Sequence, residues 1–314
     1  MSRAVLLVEH AGPLTTVQDR GRFGYLRYGV TEAGPMDRQA FAIAQAALGN
    51  PDDAAAIETT IGGVALRCIE GEVTVASVGG GFHCFLDGKP VGAWGVFSLR
   101  EGSLLSVRPG YWGSWTYLAF AGDIIAPAWL GSRATNVLSD FGGQRLAPGQ
   151  HVEIRDAERR PDRERDLALP VTSRPRQEVR VVLGPQDRFF APETIRRLLT
   201  ESFILSNEYD RMGVRLKGPK LPIVGALDMP SEAIPRGSMQ VPGHGDPIVL
   251  LADHQTTGGY PKIAVLASVD QDGFAQLRSR DSVAFRAVSA EQAVSAARTR
   301  HSALQQYLAS LRQS

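Results

Sequence analysis

Long apolar runs, lysine and cysteine are all scarce in this chain of 314 residues, and each shortage removes a class of function. The apolar stretch nearest the start, Ala4 to Val8, is too short for the core of a secretory signal or for a membrane span, so a cytoplasmic protein is expected. The two cysteines, Cys68 and Cys84, each sit in an apolar, strand-like run. That placement suits buried thiols in a reducing compartment and supplies neither a disulfide framework nor a zinc set. An excess of either charge is also missing: 34 basic residues face 33 acidic ones, a formal net charge of +1. No global field would hold nucleic acid or a membrane surface, so an anionic ligand has to be bound by local groups. The patterns G-x-x-x-x-G-K-[ST], H-E-x-x-H, C-x-x-C and G-x-S-x-G are absent, which excludes a P-loop ATPase and the obvious zinc and serine hydrolases. His244 and His254 lack a carboxylate-rich context, and no metal is expected. Only Lys89, Lys217, Lys220 and Lys262 are lysines. Arginine keeps its proton whereas lysine can lose one, so a lysine inside a loop of unusual composition gains weight as a chemical group.

What is present is a strand-rich chain with 43% hydrophobic residues, enough for about two domains of about 100–200 residues each. Strands are expected at Val5–Glu9, Val64–Ile69, Glu72–Val78, Phe82–Leu86, Val91–Leu99, Leu104–Arg108 and Ser114–Phe120, most of them bounded by glycine. Asp87-Gly88 reads as a hairpin turn, and many short strands at this spacing point to a barrel or sandwich. One helix, Asp37 to Leu48, carries Ala40, Phe41, Ala44, Ala47 and Leu48 on one face and stops at Gly49-Asn50-Pro51, with Asp37 placed as its N-cap. Between Asp156 and Asp166 nine of eleven residues are charged, which reads as a surface linker over 156–176. Further strands are expected at Glu178–Gly184, Ile248–Leu251, Ile263–Val269 and Ser282–Val288, and a short helix with Pro192 in its first turn. The chain closes with a helix over 289–314 that opens on a Ser289/Gln292 capping box and presents Ala293, Ala297, Leu304, Leu308 and Leu311. Asp19-Arg20-Gly21 and Asp210-Arg211-Met212-Gly213 form a faint internal echo.

Two segments are too polar and glycine-rich to be core. The first runs from Thr15 to Gly24 and on to Ala33-Gly34-Pro35-Met36-Asp37. Such a loop exposes backbone N–H groups, and its arginines could grip a carboxylate or phosphate by paired bonds. The competing reading is that Asp19 merely pairs with Arg20 or Arg22 to fix a turn. The second segment, 225–276, includes Gly237-Ser238-Met239-Gln240-Val241-Pro242-Gly243 and Asp253-His254-Gln255-Thr256-Thr257-Gly258-Gly259-Tyr260-Pro261-Lys262. Its amide, hydroxyl, phenol and ammonium groups near one strand end could bind a small amide or ureido compound and stabilise a developing oxyanion. Equally, Gln240 and Gln255 could satisfy buried backbone groups, Tyr260 could pack its ring, and Lys262 could be a solvated lysine.

Both segments carry a resemblance. Thr16-Val17-Gln18-Asp19-Arg20-Gly21-Arg22, Gly34, Met36-Asp37, Gly49-Asn50 and Glu58-Thr59, then Asp210 to Leu216, Gln240-Val241-Pro242, Pro247 to Leu250 and Gln255-Thr256-Thr257-Gly258-Gly259-Tyr260-Pro261, are similar to the signatures of the allophanate hydrolase subunit 2 family. The resemblance implies a mainly β protein of two cyclophilin-like β-barrel domains, 1–155 and 177–288, with a few short helices and the C-terminal helix. Family members include the C-type component of an ATP-dependent 5-oxoprolinase, which works with A-type and B-type subunits in opening 5-oxoproline to glutamate. Others transfer a carboxyl group from carboxybiotin to urea, or antagonise a kinase inhibitor.

By that resemblance the chain is a hydrolase subunit acting on a cyclic amide with A-type and B-type 5-oxoprolinase partner subunits, ATP being bound jointly with a partner. The alternatives are a biotin-dependent carboxyltransferase and a regulatory protein that sequesters a B-type kinase inhibitor. Lys262, Tyr260, Gln240 and Arg211 are the implied catalytic set. Gln18, Asp19, Arg20, Gly34, Met36, Asp253, Gln255, Thr256, Gly258 and Gly259 are the implied substrate-binding set. The two sets are expected to converge on one small carbonyl compound. The sequence departs from the family at His254, at Gly243-His244-Gly245 and at Arg278-Ser279-Arg280, which bears on the ligand more than on the fold.

Overall fold

A computed structural model describes residues 2–225 and 229–313. Residues 226–228 of the second polar segment, Met1 of the first expected domain and Ser314 of the final helix lie outside the described residues. The chain forms two compact units, one of residues 1–22, 33–174 and 304–314 and the other of 23–32 and 175–303.

The first unit is an 11-stranded sheet made of β1 (Arg3–Ala11), β2 (Thr16–Gln18), β3 (Ala56–Thr60), β4 (Val64–Glu70), β5 (Glu72–Leu86), β6 (Lys89–Val91), β7 (Gly95–Arg100), β8 (Leu104–Phe120), β9 (Asp123–Ile124), β10 (His151–Arg155) and β11 (Arg165–Asp166). Its order is β11-β7-β5-β8-β4-β1-β10-β9, with β3 on β8, β2 on β3 and β6 on β5. Helix α1 (Arg38–Leu48) buries Ala40, Phe41, Ala44, Ala47 and Leu48 in this unit's core. Asp37 caps it as expected, its carboxylate accepting the Ala40 N–H at 2.9 Å. Gly49 ends it with φ at 71°, a left-handed conformation that a side chain would oppose.

Four expected strands in this unit are really two long ones. The glycines at 79–81, and those at 110 and 113, looked like strand breaks, yet β5 and β8 run through them with register shifts between Gly79 and Gly81 and between Gly81 and His83. Close approach is the reason. A Cβ on Gly110 would sit 1.7 Å from the Gly81 carbonyl oxygen, and one on Gly79 would sit 2.4 Å from Thr116 Cα. These glycines let two bent strands touch and do not mark turns. The charged stretch from Asp156 is also tied into the first unit. Arg165 and Asp166 pair with β7, Arg160 N–H bonds the Thr74 hydroxyl at 2.7 Å, and Leu167 is buried.

The second unit is a closed barrel with the order β12-β19-β16-β17-β14-β13-β20, where β20 (Ser282–Ala287) lies parallel to β12 (Glu178–Leu183). The intervening strands are β13 (Ser202–Tyr209), β14 (Gly213–Lys217), β16 (Ser238–Gln240), β17 (Ile248–Leu250) and β19 (Lys262–Leu266). A two-strand ladder of β15 (Glu232–Ala233) and β18 (Thr257–Gly258) stands beside it. Helix α2 (Pro192–Thr200) falls where Pro192 placed it. Where strand was expected to continue to Val269, the chain turns instead into α3 (Ser268–Ala275). The buried Asp270 carboxylate there takes three bonds from Arg180, two of them at 2.8 and 2.6 Å from its guanidinium, which fixes this helix on β12.

Helix α4 (Ala290–Gln313) opens on the expected box. Gln292 N–H donates to the Ser289 hydroxyl at 3.2 Å, and Ser289 N–H donates to the Gln292 side-chain oxygen at 2.9 Å. Of its apolar face only Leu308 and Leu311 are buried. None of the helices among the described residues is long and apolar enough to cross a membrane.

Candidate functional site

The opening loop of the first unit is held largely by its own polar groups. Asp19 is buried and accepts from Gly21 N–H at 2.9 Å and from the Ser132 hydroxyl at 2.6 Å on one oxygen, and from Arg133 N–H at 2.5 Å on the other. It therefore anchors a turn, though through backbone and hydroxyl groups and not through Arg20 or Arg22. Arg20 is exposed. Gly34 has φ at 78°, and a Cβ there would lie 2.8 Å from the Arg20 carbonyl oxygen, so its role is to let two backbone segments close together. Met36 is buried and its N–H reaches Glu58 Oε2 at 2.8 Å. The same Glu58 oxygen accepts the Tyr117 hydroxyl at 2.6 Å, which in turn accepts the Asp37 N–H at 2.8 Å. Burial, reinforced by the negative charges of Glu58 and Asp37, pushes the Tyr117 phenol well above its ordinary range, so the phenol serves as a fixed donor. Gln18 donates to the Thr16 hydroxyl at 2.9 Å and to the Thr135 carbonyl at 3.0 Å from a fully buried position.

The second unit holds a cavity of about 550 Å³. Met212, Ile248 and Leu250 give it an apolar wall, while Gln240, Gln255, Asn207 and Tyr260 supply polar groups and Glu208, Asp210 and Arg215 the charges. Gln240 is buried on β16. Its amide nitrogen donates to the Tyr260 carbonyl at 3.3 Å, and its oxygen accepts from Gln255 Nε2 at 3.0 Å. Tyr260 is 47% exposed. Gly258 leaves room for these side chains: a Cβ would lie 2.7 Å from Ile234 Cδ1 and 3.0 Å from Gln240 Nε2, so both would have to shift. Thr256 holds β15 and β18 together, its carbonyl accepting Ile234 N–H at 3.0 Å, and Gly259 is exposed beside Met229.

Lys262 and Arg211 do not line that cavity. Arg211 is buried against Asp253 in a two-pronged pair, with Nε to Oδ2 at 3.0 Å and Nη2 to Oδ1 at 2.8 Å. This geometry joins two residues singled out for catalysis and substrate binding into one internal brace. Lys262 begins β19 opposite Gln240, is only 2% exposed, and reaches Glu232 Oε2 at 3.4 Å. The residues that sequence reasoning missed are Glu208, Glu232 and Gln186. Glu208 pairs with Arg215 at 2.8 Å on the cavity wall, and no local pattern announces such partners because strand pairing alone brings them together.

His254 gives a pH signature. Its ring is buried, with Nδ1 2.7 Å from the Gln255 carbonyl. Burial pushes its pKa below the usual 6.5, Arg236 adds to that, and the Gln255 carbonyl and Asp253 oppose it less strongly. The unfolded chain then takes up a proton that the folded chain refuses. This residue's contribution is complete above pH 6.5 and is lost as pH falls from there toward the lower folded value, by at most about 1.4 kcal/mol per pH unit. Urea unfolding followed across this range should show a midpoint that drops on acidification, and His254→Gln should flatten the drop. An equally steep profile in the variant would assign the effect to other groups.

The family model that matches most of the chain places the protein among carboxyltransferase-type domains. The chain belongs to the family described as carboxyltransferase domain, subdomain A and B, whose match spans residues 28–287. It is similar to the C-type component of 5-oxoprolinase from Haemophilus influenzae, 32% identical over 281 residues that cover 88% of this chain and 89% of that protein. The corresponding protein of Escherichia coli is 31% identical over 295 residues, covering 93% and 94%. Among solved structures it is similar to Kluyveromyces lactis urea carboxylase, with a TM-score of 0.85, 25% identity and coverage of 98% of this chain. The solved relatives are longer chains. This one spans 29% of the urea carboxylase and 56% of another solved relative.

Proposed function

We propose that the protein is the C-type component of an ATP-dependent 5-oxoprolinase, acting with A-type and B-type subunits to open the lactam of 5-oxoproline to glutamate. One observation carries the reading: a buried ammonium, Lys262, has a single long contact at 3.4 Å among the described residues, and its strand partner Gln240 lines an amide-rich cavity. An ammonium behind the wall of a low-dielectric cavity stabilises, through its field and without touching the ligand, negative charge growing on a carbonyl oxygen in that cavity. In this scheme water adds to the lactam carbon, the C–N bond breaks, and the departing nitrogen takes a proton. Gln240 is already bonded at both ends of its amide, so it orients Gln255, whose own oxygen receives the lactam N–H. The exposed ring of Tyr260 covers the ligand.

Nucleotide binding falls to the partners in this reading. The cavity sets Glu208 and Asp210 against Arg215 alone, a charge balance unsuited to a triphosphate. Co-expression with A-type and B-type subunits, followed by an assay of glutamate release from 5-oxoproline and ATP, is the test, and absence of turnover counts against it. A second reading rests on size, because about 550 Å³ exceeds what a five-membered lactam needs. In it the cavity accepts the ureido ring of carboxybiotin from a separate carrier protein, and a biotinylated partner should then be recovered with the chain from its native cell.

A further inference from the structure

Strand pairing gives the cavity of the second unit an ordered wall. Arg215 of β14 stands opposite Ile248 of β17, and Ile248 stands in turn opposite Gln240 of β16. All three line the cavity, while their neighbours Val214, Val249 and Met239 are buried on the other face of the same strands, as the alternation of side chains along a strand requires. A guanidinium, an aliphatic side chain and an amide are thus set in a row across three adjacent strands, with about 10 Å between the outer two backbones. Among the described residues Arg215 is the one cation of the lining, and the scheme proposed above gives it no part in binding the lactam.

The guanidinium is only partly used. Its Nε donates to Glu208 Oε2 at 2.8 Å and its Nη1 to His244 Nε2 at 2.6 Å, the histidine nitrogen accepting because arginine has only donors. Nη2 has no partner among the described residues. The end of the group formed by Nη1 and Nη2 therefore keeps an N–H on each nitrogen, the fork with which arginine grips a carboxylate. The carboxylate already present is loosely kept. The Glu208 side chain is 67% exposed against 28% for Arg215, and an ion pair so open to water favours its closed form by about fivefold or less. Asp210, the other carboxylate of the lining, accepts the N–H groups of Met212 and Gly213 at 2.8 and 3.2 Å. We propose that Arg215 is the subsite for a carboxylate on the ligand, that Glu208 occupies it until the ligand arrives, and that the substrate class is a small lactam bearing a carboxylate. The ring then lies against Ile248, with its amide at Gln255. This deepens the proposed function and rests on it for the lactam; what it adds is the group that selects 5-oxoproline over a bare lactam.

Ligand-observed NMR titration of the full chain tests the subsite without requiring turnover, with 5-oxoproline and 2-pyrrolidinone, the same lactam without its carboxylate, as the two probes. The parent protein should hold 5-oxoproline about tenfold or more tighter than 2-pyrrolidinone, and Arg215→Gln should bring the two within about twofold of each other by weakening only the first. Glu208→Gln removes the resident competitor and should tighten 5-oxoproline by about two- to fivefold while leaving 2-pyrrolidinone unchanged. Equal affinities in the parent, no binding of either probe, or a preference that survives Arg215→Gln would overturn the proposal. Should Arg215→Gln fail to fold, Glu208→Gln decides, since unchanged or weaker binding of 5-oxoproline there rejects Glu208 as the occupant of the subsite. The reaction is judged separately. A parent complex that binds 5-oxoproline through Arg215 yet releases no glutamate speaks against the reaction and upholds the subsite, whereas a complex that turns over with the same KM after Arg215→Gln upholds the reaction and rejects the subsite.

Discussion

Replacing Lys262 with methionine should lower kcat of the reconstituted complex by about tenfold or more, the loss expected when a buried charge acting across a low-dielectric cavity wall is removed. Methionine retains most of the buried aliphatic stem, so packing around β19 should persist and stability should change by less than about 1.5 kcal/mol. Glu232, being partly exposed, can be solvated once its partner is gone. The substrate KM should change far less than kcat, because the ammonium is assigned to the transition state and not to ground-state binding. Steady-state kinetics with 5-oxoproline checks the split. A variant that keeps full turnover would remove Lys262 from the chemistry, and a variant that loses partner binding along with turnover would make its role structural. Tyr260→Phe is the milder companion, since it keeps the ring and deletes only the hydroxyl.

The other large effect concerns stability. Asp253→Ala leaves the Arg211 guanidinium buried without its two-pronged carboxylate and should cost about 3–5 kcal/mol in chemical denaturation. The double replacement Arg211→Met with Asp253→Leu removes both charges at once and should regain most of that loss. The pair joins the turn before β14 to the loop after β17, a link doubled by the Asp253 N–H bond to the Arg211 carbonyl at 2.8 Å. If the single variant is as stable as the parent, the brace is not what holds these loops together. If the double variant is folded yet inactive in the complex, the guanidinium has a part in the reaction after all.

Local signals in the sequence were legible to the extent that they depend on neighbours in the chain. The capping residues Asp37 and Ser289, the stop at Gly49 and the Pro192 helix start all appear where expected, because a cap is a contact across three or four residues. The two echoing segments share a device too. Asp19 accepts the N–H of Gly21, and Asp210 accepts those of Met212 and Gly213, although Arg20 is exposed and Arg211 buried. Glycines were misleading in β5 and β8, since a strand crossing and a turn demand the same residue. Val265, Leu266 and Val269 continue an apolar pattern that predicts a longer β19, and the Asp270–Arg180 bond to a distant strand ends it sooner.

The candidate site divides in the same way. Its glycine-rich string is conspicuous, and the resemblance it carries matches the family to which the chain belongs. Which side chains face the cavity was not readable from spacing. Gln240, Gln255 and Tyr260 line it, whereas Lys262 lies one strand partner away with Glu232 and Gln186, from positions dozens of residues upstream. Pairing across β15–β18 and β16–β19 creates that neighbourhood, and no single segment contains it.

Closure of the seven-stranded barrel in the second unit pairs each of its strands on both sides, whereas the main path of the first unit's sheet ends at β9 and β11, each only two residues long. Asp123 on β9 is bound by Arg133 and Arg155, and Asp166 on β11 adds another charge. Such short, ionised margins offer little purchase for strand-to-strand stacking between molecules. Concentrated solutions should accordingly resist filament growth at these two margins.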